Sequence, residues 1–190
     1  MPEEAQNQTP PPKPAAPAPK PPAAPAYLPW HSELGASLKH QYGAGVDSLT
    51  YAGQNFFVVD RVIAHGVLRR MAEEGFDYLV DLTCVHYPQR ELAFEIVWIL
   101  YSFPKNERVR VKTSIADGEA IPTVTDLWRT ANWLEREAYD MFGVTFTGHP
   151  DLRRILLPDG WVGFPLRKDH DILKQDANWV QKNLGIESGQ

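Results

Sequence analysis

The amino-acid sequence predicts an α+β fold: a mainly antiparallel or mixed sheet with helices packed on it, followed by an extended irregular C-terminal segment. Three observations lead to this prediction. Apolar residues recur every three or four positions in 32–42, 60–75 and 125–141, which is typical of amphipathic helices. Between residues 76 and 115, three apolar or alternating runs are joined by short turns, and such turns require antiparallel neighbours. After Gly143 the sequence has no regular period.

The first elements of the body are a helix and a pair of strands. Ser32 is a good N-cap, and the helix that it begins is expected to end at Gly43. Two short strands follow at 46–51 and 56–59. The residues between them, 53–55, are typical of a turn and predict a hairpin.

A second helix and three strands come next. Asp60 is expected to cap the helix, which ends at Gly75. The strand 76–87 is apolar on both faces, as in the centre of a sheet, and the strands 91–103 and 108–115 alternate with period two.

The sequence signals for the last elements are weaker. Thr125 is expected to cap a helix that runs to about Met141, with a break near 129–132 and Gly143 as its end. A short helical pattern covers 178–184. A long segment without regular structure usually lies across another surface, so residues 144–190 are predicted to form an extended segment that wraps a partner.

Prolines divide the chain. Eleven of the 17 precede His31, and alanine fills most of the gaps between them. This composition predicts a disordered or loosely polyproline II tail at 1–30, ahead of an α+β domain at 31–143. The tail has no apolar stretch typical of a secretory signal, and a plain spacer is favoured over a ligand for SH3-like domains.

Composition excludes several classes of function. The 24 acidic residues outnumber the 19 basic ones, which argues against nucleic acid as a partner. A single cysteine cannot form an internal disulfide or supply the thiolates of an iron–sulfur cluster or structural zinc site. The longest apolar run, 96–101, is far shorter than the roughly 20 residues that span a bilayer.

Motifs of a self-contained enzyme are not found either. No glycine-rich loop joins a strand to a helix, and no serine lies in a nucleophile elbow. Cys84 falls inside an apolar strand and is expected to be a buried, inert thiol. The six histidines lack the close spacing of a metal-binding helix pair.

Charged and aromatic residues are densest between 135 and 143. Arg136 and Asp140 are four positions apart and are expected to face each other on a helix, while Glu137 projects beside Leu134 and Met141. A solvated ion pair of this kind contributes only about 0.3–0.5 kcal/mol. If the same residues lie at a buried junction, loss of one partner would lower the stability of the fold by about 3–5 kcal/mol. A metal site using Glu137 and Asp140 is a third interpretation, but matching ligands are not apparent.

A second dense stretch covers 148–169. It combines Arg153 and Arg154, then Arg167 and Lys168, with apolar residues and several aspartates. The aspartates offset the basic charge, so the stretch does not suit nucleic acid. Forked guanidinium groups and apolar side chains instead suit contact with a facing protein surface.

The order and spacing of these residues resemble a known family. The stretch Glu135-Arg136-Glu137-x-x-Asp140-Met-Phe-Gly, followed by His149-x-x-x-Arg153, resembles the signature of the C subunit of NADH–quinone oxidoreductase, respiratory complex I, the 30-kDa type. The flanking stretches 125–128, 155–159 and 165–169 fit the same family. The resemblance is strongest over 122–171 and does not cover the proline-rich tail.

The resemblance implies a fold, a place and partners. Members of this family are α+β proteins of the peripheral arm, on the cytoplasmic face of the inner cell membrane, and they meet the membrane only through the complex. They pack principally on the D subunit of the complex, and on other peripheral-arm subunits such as B and I. The D and B subunits form the quinone site. FMN and the iron–sulfur clusters lie in partner subunits, so no cofactor is expected in this chain.

The resemblance also implies roles for individual residues. None is expected to be catalytic, cofactor-binding or metal-binding. Signature and interface residues are expected to divide into an internal junction and a partner-facing set. The junction is Arg136, Glu137 and Asp140; the partner-facing set is His149, Arg153, Arg154, Arg167 and Lys168; Glu135 and Asp169 complete the signature.

This chain differs from many members of the family in two features. Many members have an acidic residue and a histidine where this chain has Val162 and Phe164, which favours packing over proton chemistry in this loop. The sequence ends soon after residue 171, so a separate C subunit is expected rather than a fusion with the D subunit.

Three functions remain open at this point. The leading hypothesis is a non-redox structural subunit of a proton-translocating NADH:quinone oxidoreductase, with no activity in the isolated chain. The second is the equivalent subunit of a membrane-bound hydrogenase or of a complex fed by ferredoxin or deazaflavin. The third is a free-standing enzyme that uses Glu137 and Asp140.

Overall fold

A six-stranded mixed sheet with helices on one face forms the centre of the fold. The computed structural model describes residues 26–171 and 177–185. The elements in chain order are β1 (Leu28–Pro29), α1 (Glu33–Tyr42), β2 (Val46–Tyr51), β3 (Gln54–Val59), α2 (Ala64–Glu73), β4 (Tyr78–His86), β5 (Phe94–Ser102), β6 (Glu107–Ile115), β7 (Ala120–Pro122), α3 (Ala131–Phe142), β8 (Thr145–Thr147) and α4 (Ala177–Leu184). A 3-10 turn, Gly43–Gly45, joins α1 to β2. Among the described residues, no helix combines the length and the apolar character needed to cross a membrane.

The topology confirms the predicted fold class. The strand order is β1-β2-β3-β6-β5-β4, and every pair is antiparallel except β3 with β6. The chain crosses from β3 through α2 to the far edge and returns as β4, β5 and β6, which makes the sheet mixed. A second, two-stranded parallel sheet of β7 and β8 was not predicted, because each strand has only three residues.

The β2–β3 hairpin turns earlier than predicted. Its two central residues are Ala52 and Gly53, with φ angles of +49° and +73°. Two-residue turns with positive φ at both positions match the twist of the flanking strands. Strand β3 therefore begins at Gln54, and the predicted turn at 53–55 is wrong by about one residue at its start and two at its end.

The predicted N-cap is correct for one of the first three helices and wrong for the other two. The Oγ of Ser32 accepts a hydrogen bond from the Gly35 N–H at 2.9 Å, which confirms the predicted cap of α1. Asp60 instead accepts from the Val62 N–H in a turn ahead of α2. Thr125 does not cap α3, because residues 125–130 form turns that place Trp128 in the core.

The core lies between one face of the sheet and the helices. Alternate residues of the central strands, such as Phe57, Trp98 and Val111, are buried against Leu68 of α2. Cys84 lies in this core, which confirms that the thiol is buried as predicted, and burial raises the pKa of the thiol to about 12.

Residues near both predicted domain boundaries take part in the described sheet and core. The tail prediction falls largely outside the described residues, but Leu28 and Pro29 already pair with β2. Val144 and Phe146 belong to the core, so the α+β domain continues past residue 143. The predicted short helix near the end is α4.

Candidate functional site

Helix α3 divides the signature residues between its two sides. Glu135, Arg136 and Asp140 are buried, whereas Glu137 is exposed. At 100° per residue, Glu137 falls on the same stripe as Trp133, whose exposed fraction is 63%. The prediction that Glu137 belongs to the internal junction is therefore wrong.

Asp140 is the centre of the hydrogen-bond network on the buried side. Its Oδ2 accepts backbone N–H groups of three successive residues, Ile155, Leu156 and Leu157, at 3.0, 2.7 and 3.0 Å. Its Oδ1 accepts from Nη1 of Arg154 at 2.8 Å. Burial by itself raises the pKa of Asp140, but these hydrogen bonds outweigh it and leave the pKa below its usual value.

Arg154 contacts its own chain and not an outer surface. Besides Asp140, its Nη2 donates to the carbonyl oxygen of Gly163 at 3.0 Å, and its guanidinium lies 5.1 Å from the ring centre of Phe164. Asp140 therefore pairs with Arg154 and not, as had been expected, with Arg136. Arg136 donates from Nε to the Arg153 carbonyl at 3.1 Å. Arg154 therefore binds within its own chain, and its contact with a partner stays a prediction.

Arg167 holds the segment at the end of α3. Its Nε donates to the Phe142 carbonyl at 2.6 Å, and its two Nη atoms donate to the Asp117 carboxylate at 3.0 and 3.1 Å. The guanidinium lies 4.9 Å from the ring centres of both Phe94 and Phe164. Its position at a helix C-terminus is favourable for a cation. Arg167 thus also binds within its own chain, and its contact with a partner stays a prediction.

Gly143 makes this packing possible. It has a left-handed φ of +78°, and its N–H donates to the Tyr139 carbonyl at 2.8 Å to end α3. A Cβ at this position would lie only 2.6 Å from the Phe164 ring and 2.9 Å from Nη2 of Arg167. The position requires glycine for both conformation and space.

A second buried acidic group lies at the start of α3. Glu135 accepts hydrogen bonds from the Val124 N–H at 2.7 Å and the Thr123 hydroxyl at 2.5 Å. His149 lies beside it, with Nε2 at 3.9 Å from the carboxylate and 3.1 Å from the Asn132 carbonyl. Burial, only partly opposed by the two hydrogen bonds, raises the pKa of Glu135 to about 7.

His149 is fixed in one tautomer within this cluster. Its Nδ1 accepts from the Asp151 N–H at 3.0 Å, so the proton of the neutral ring is on Nε2. The side chain is fully buried in this chain, and the predicted contact of His149 with a partner stays a prediction.

The outer residues of the segment remain accessible for contact. Lys168 and Asp169 have exposed side chains, while the Lys168 N–H donates to Nδ1 of the buried His86 at 3.0 Å. The side chain of Arg153 is 72% exposed, and its Nε donates to the neighbouring Asp151 carboxylate at 2.9 Å. The exposed apolar residues of the segment are Leu156, Val162 and Leu166, at 61, 68 and 53%.

This arrangement of charged groups serves to attach one segment of the chain to the rest of the fold. The charged groups bind backbone of the same chain, and they hold the irregular segment 151–169 on α3 and β5. Within residues 26–171 and 177–185, no three His, Cys, Asp or Glu side chains are grouped to hold a metal ion. Sequence reasoning missed the backbone partners at 155–157, together with Thr123 and Asp117, because their contacts span 12 to 50 positions.

Replacing Glu135 with glutamine should change how stability depends on pH. The folded pKa of about 7 exceeds the unfolded value, so the protonated form stabilises the fold below about pH 4.5 and this stabilisation is lost as pH rises to about 7. Relative to the variant, the wild-type chain should lose about 3 kcal/mol of unfolding free energy over this range. Chemical denaturation of both chains at pH 5 and pH 8 measures the difference.

The matched control for this prediction is Glu137→Gln, which removes the same charge from the exposed side of the same helix. It should leave the pH profile of the wild-type chain unchanged. Parallel profiles for the wild-type chain and Glu135→Gln would contradict the assignment of a buried, protonated carboxyl.

Comparison with protein families matches most of this chain to a single family. Residues 57–176 match the family model described as respiratory-chain NADH dehydrogenase, 30 Kd subunit. The matched range includes the whole of the site described above.

Two curated relatives illustrate the sequence similarity. The NADH-quinone oxidoreductase C subunit of Phenylobacterium zucineum (strain HLK1) is 50% identical over 56% of this chain and 51% of its own length. The NADH-quinone oxidoreductase C/D subunit of Bdellovibrio bacteriovorus is 44% identical over 66% of this chain and 22% of the relative. The chain thus spans about half the length of the first of these relatives.

Two solved structures share the fold. A trypsin-resistant fragment of Nqo5 superposes with a TM-score of 0.57 and 32% identity, over 63% of this chain and 98% of the fragment. A chain of the membrane-bound sulfane sulfur reductase, an archaeal respiratory membrane complex, superposes with a TM-score of 0.61 and 25% identity. The superposition covers 83% of this chain and 93% of that one.

Proposed function

Because the chain belongs to the 30 kDa subunit family of respiratory-chain NADH dehydrogenases, we propose that it is a non-redox structural subunit of a proton-translocating NADH:quinone oxidoreductase. It packs on the D subunit in the peripheral arm, with subunits such as B and I nearby, at the cytoplasmic face of the cell membrane. FMN and the iron–sulfur clusters are held by partner subunits, and the isolated chain has no catalytic activity.

The observation that carries this proposal is the attachment of the segment 151–169. Asp140 and Arg167 bind it from within, and Leu157 packs against the core while Leu156 faces outward. The segment has little regular secondary structure, yet its position is fixed by charge-assisted hydrogen bonds. A surface held in this way loses little conformational entropy when a partner binds.

The outward side of the segment has the composition of a protein interface. Leu156, Val162 and Leu166 are exposed apolar side chains, and Arg153 is an exposed guanidinium close to them in sequence. Apolar residues and arginine are typical of the centres of protein interfaces. This supports contact with another subunit along 153–166.

The relative whose name combines C and D supports the D subunit as that neighbour. Two subunits named in a single chain are held close together by their linkage. In the proposed complex, the segment holds the D subunit in position, so that the quinone site keeps its geometry during electron transfer. Functional sites need such support because small displacements lower their activity.

The proposal is tested by adding charge to the outward side of the segment. The double variant Leu156→Glu with Leu166→Glu changes two exposed residues and leaves the side chains of Asp140 and Arg167 in place. The amount of D subunit recovered with the tagged chain from solubilised membranes should fall about tenfold or more, because charges replace apolar contacts. NADH:quinone activity should fall in proportion.

Val62→Glu is the matched control. Val62 is an apolar residue that is 84% exposed in the turn before α2, far in sequence from the segment. This variant should retain the D subunit at the wild-type level, and both variants should unfold at the wild-type temperature. Normal retention of the D subunit by the double variant would overturn the proposed interface.

A second candidate function is the equivalent subunit of a related complex with another electron donor. The similarity to a chain of the sulfane sulfur reductase complex supports this alternative, because the same fold occurs there. The electron donor binds elsewhere in either case. Assay of the purified complex with NADH and with reduced ferredoxin distinguishes the two: turnover with NADH supports the first proposal.

A further inference from the structure

One face of the six-stranded sheet has no helix on it in the part of the chain that the structure describes. We call this the open sheet face, and its central side chains are Phe56 of β3, Val85 of β4, Val97 of β5 and Lys112 of β6. The pairs Val97–Lys112 and Thr83–Val97 are directly opposite, so the alternate residues of these strands share the face. Phe56 and Val97 are buried but do not belong to the helix-side core.

A shallow cavity of about 320 Å³ lies on the open sheet face. Its lining is aromatic and apolar, with cations around it. The side chains that line it include Tyr27, Tyr51, Phe56, Tyr87, Val97 and Lys112. None of the described helices contributes a residue to this lining.

Cations stand over two of the aromatic rings. The Nζ of Lys112 lies 4.9 Å from the ring centre of Phe56. Tyr87 has Arg90 at 3.8 Å and Lys168 at 5.2 Å from its ring centre. Glu95 is the acidic residue in the cavity lining, and Lys112 pairs with it at 3.2 Å. The cations therefore exceed the acids around this cavity, which favours an occupant with acidic groups.

The chain itself enters the described structure at this cavity. The ring of Tyr27 packs edge-on against Tyr51 at 5.8 Å and against Phe56 at 5.3 Å. Residues 1–25 therefore connect directly to the rim of the cavity. They contain ten prolines, an acidic pair at the far end, Glu3 and Glu4, and two lysines, Lys13 and Lys20, nearer the cavity in sequence.

The length of this segment is sufficient to cover the face. In polyproline II conformation, 25 residues extend about 75 Å. A sheet of six strands is about 25–30 Å wide. Proline-rich segments bind grooves lined by aromatic rings, because the polyproline helix has little conformational entropy left to lose.

We propose that residues 1–25 bind the open sheet face, with proline rings against the exposed ring of Tyr51 and the half-buried ring of Tyr87. The acidic pair Glu3 and Glu4 lies toward the cations that surround the cavity. The covalent connection at Tyr27 keeps the segment at millimolar effective concentration, so a weak contact is sufficient. This inference is independent of the proposed function.

Spin labelling of the full chain tests the proposal. Cys84 is buried and its thiol pKa is about 12, so a cysteine introduced as Ala15→Cys is the reactive one. A nitroxide at residue 15 should broaden the methyl NMR signals of Val58, Val85 and Val97 on the open sheet face. The signals of Val67 and Leu68, on the helix side, should stay sharp.

A same-length control separates binding from mere tethering. In this control the prolines at 10–25 are replaced by glycine and serine, which leaves the tether length and the label unchanged. The selective broadening should be lost in the control and in Tyr51→Ser. Equal broadening in the proline-containing and glycine–serine chains would overturn the proposal.

Two further outcomes identify other occupants of the face. Broadening that appears only when labelled and isotope-enriched chains are mixed shows contact with a second copy. Cross-links from Lys112 to another subunit in the purified complex, in place of cross-links to Lys13 or Lys20, show that a partner covers the face. Either result would overturn binding by residues 1–25.

Discussion

Replacing Asp140 with asparagine is expected to lower the free energy of unfolding by about 3–5 kcal/mol, the cost of breaking a buried charge pair. The carboxylate accepts from donors on both oxygens: three N–H groups on Oδ2 and Arg154 on Oδ1. An asparagine amide has one acceptor oxygen, so in either orientation its NH₂ group faces donors. Denaturant titration of the full chain measures the loss.

Glu137→Gln is the control for this variant, since it makes the same chemical change three residues earlier on the same helix. Its side chain is exposed, and it should change stability by less than about 0.5 kcal/mol. The Asp140 variant should also expose backbone amides 155–157 to hydrogen exchange. An equal and small effect of the two substitutions would show that Asp140 does not hold the segment.

Gly143→Ala should have the second largest effect, about 3 kcal/mol of unfolding free energy. The left-handed φ of +78° costs an L-residue about 1–2 kcal/mol. The new methyl group also overlaps the Phe164 ring at 2.6 Å, and displacing packed atoms costs about 1–3 kcal/mol more. Thermal or chemical unfolding of the variant measures the sum.

Gly118→Ala separates these two contributions. Gly118 has nearly the same φ, +77°, but a Cβ there has no atom within 4 Å. It should therefore lose only the conformational part, about 1–2 kcal/mol. If both alanine variants lose the same amount, the close packing of Phe164 and Arg167 on Gly143 contributes nothing to stability.

Local signals in the sequence predicted the local elements well. Ser32 and the glycine at 43 bounded α1, and period-two alternation predicted β5 and β6. Two starts were missed for a physical reason: Thr125 and Asp60 are good caps, but their side chains make their hydrogen bonds in turns ahead of the helices. The parallel pairing of β3 with β6 could not be predicted, because it depends on a crossover and not on adjacent residues.

The sequence predicted where the site lies better than it predicted which residues contact each other there. Helical periodicity correctly places Arg136 and Asp140 on one buried side, and the same periodicity applied to position 137 predicts exposure. Which groups pair could not be obtained from spacing, because the partners of Asp140 and Arg167 lie 14 to 50 positions away. As a result, three residues expected to face a partner, His149, Arg154 and Arg167, bind their own chain. Arg153 and Lys168 remain exposed.

Purification of the tagged wild-type chain from detergent-solubilised membranes tests most directly whether the protein is a structural part of the respiratory complex. We expect the D subunit, flavin absorbance and iron–sulfur absorbance to be recovered with the tag, together with NADH:quinone turnover. The same chain produced alone should show neither absorbance nor turnover. Recovery of the chain without these partners, or turnover by the isolated chain, would contradict a structural role in NADH:quinone oxidoreductase.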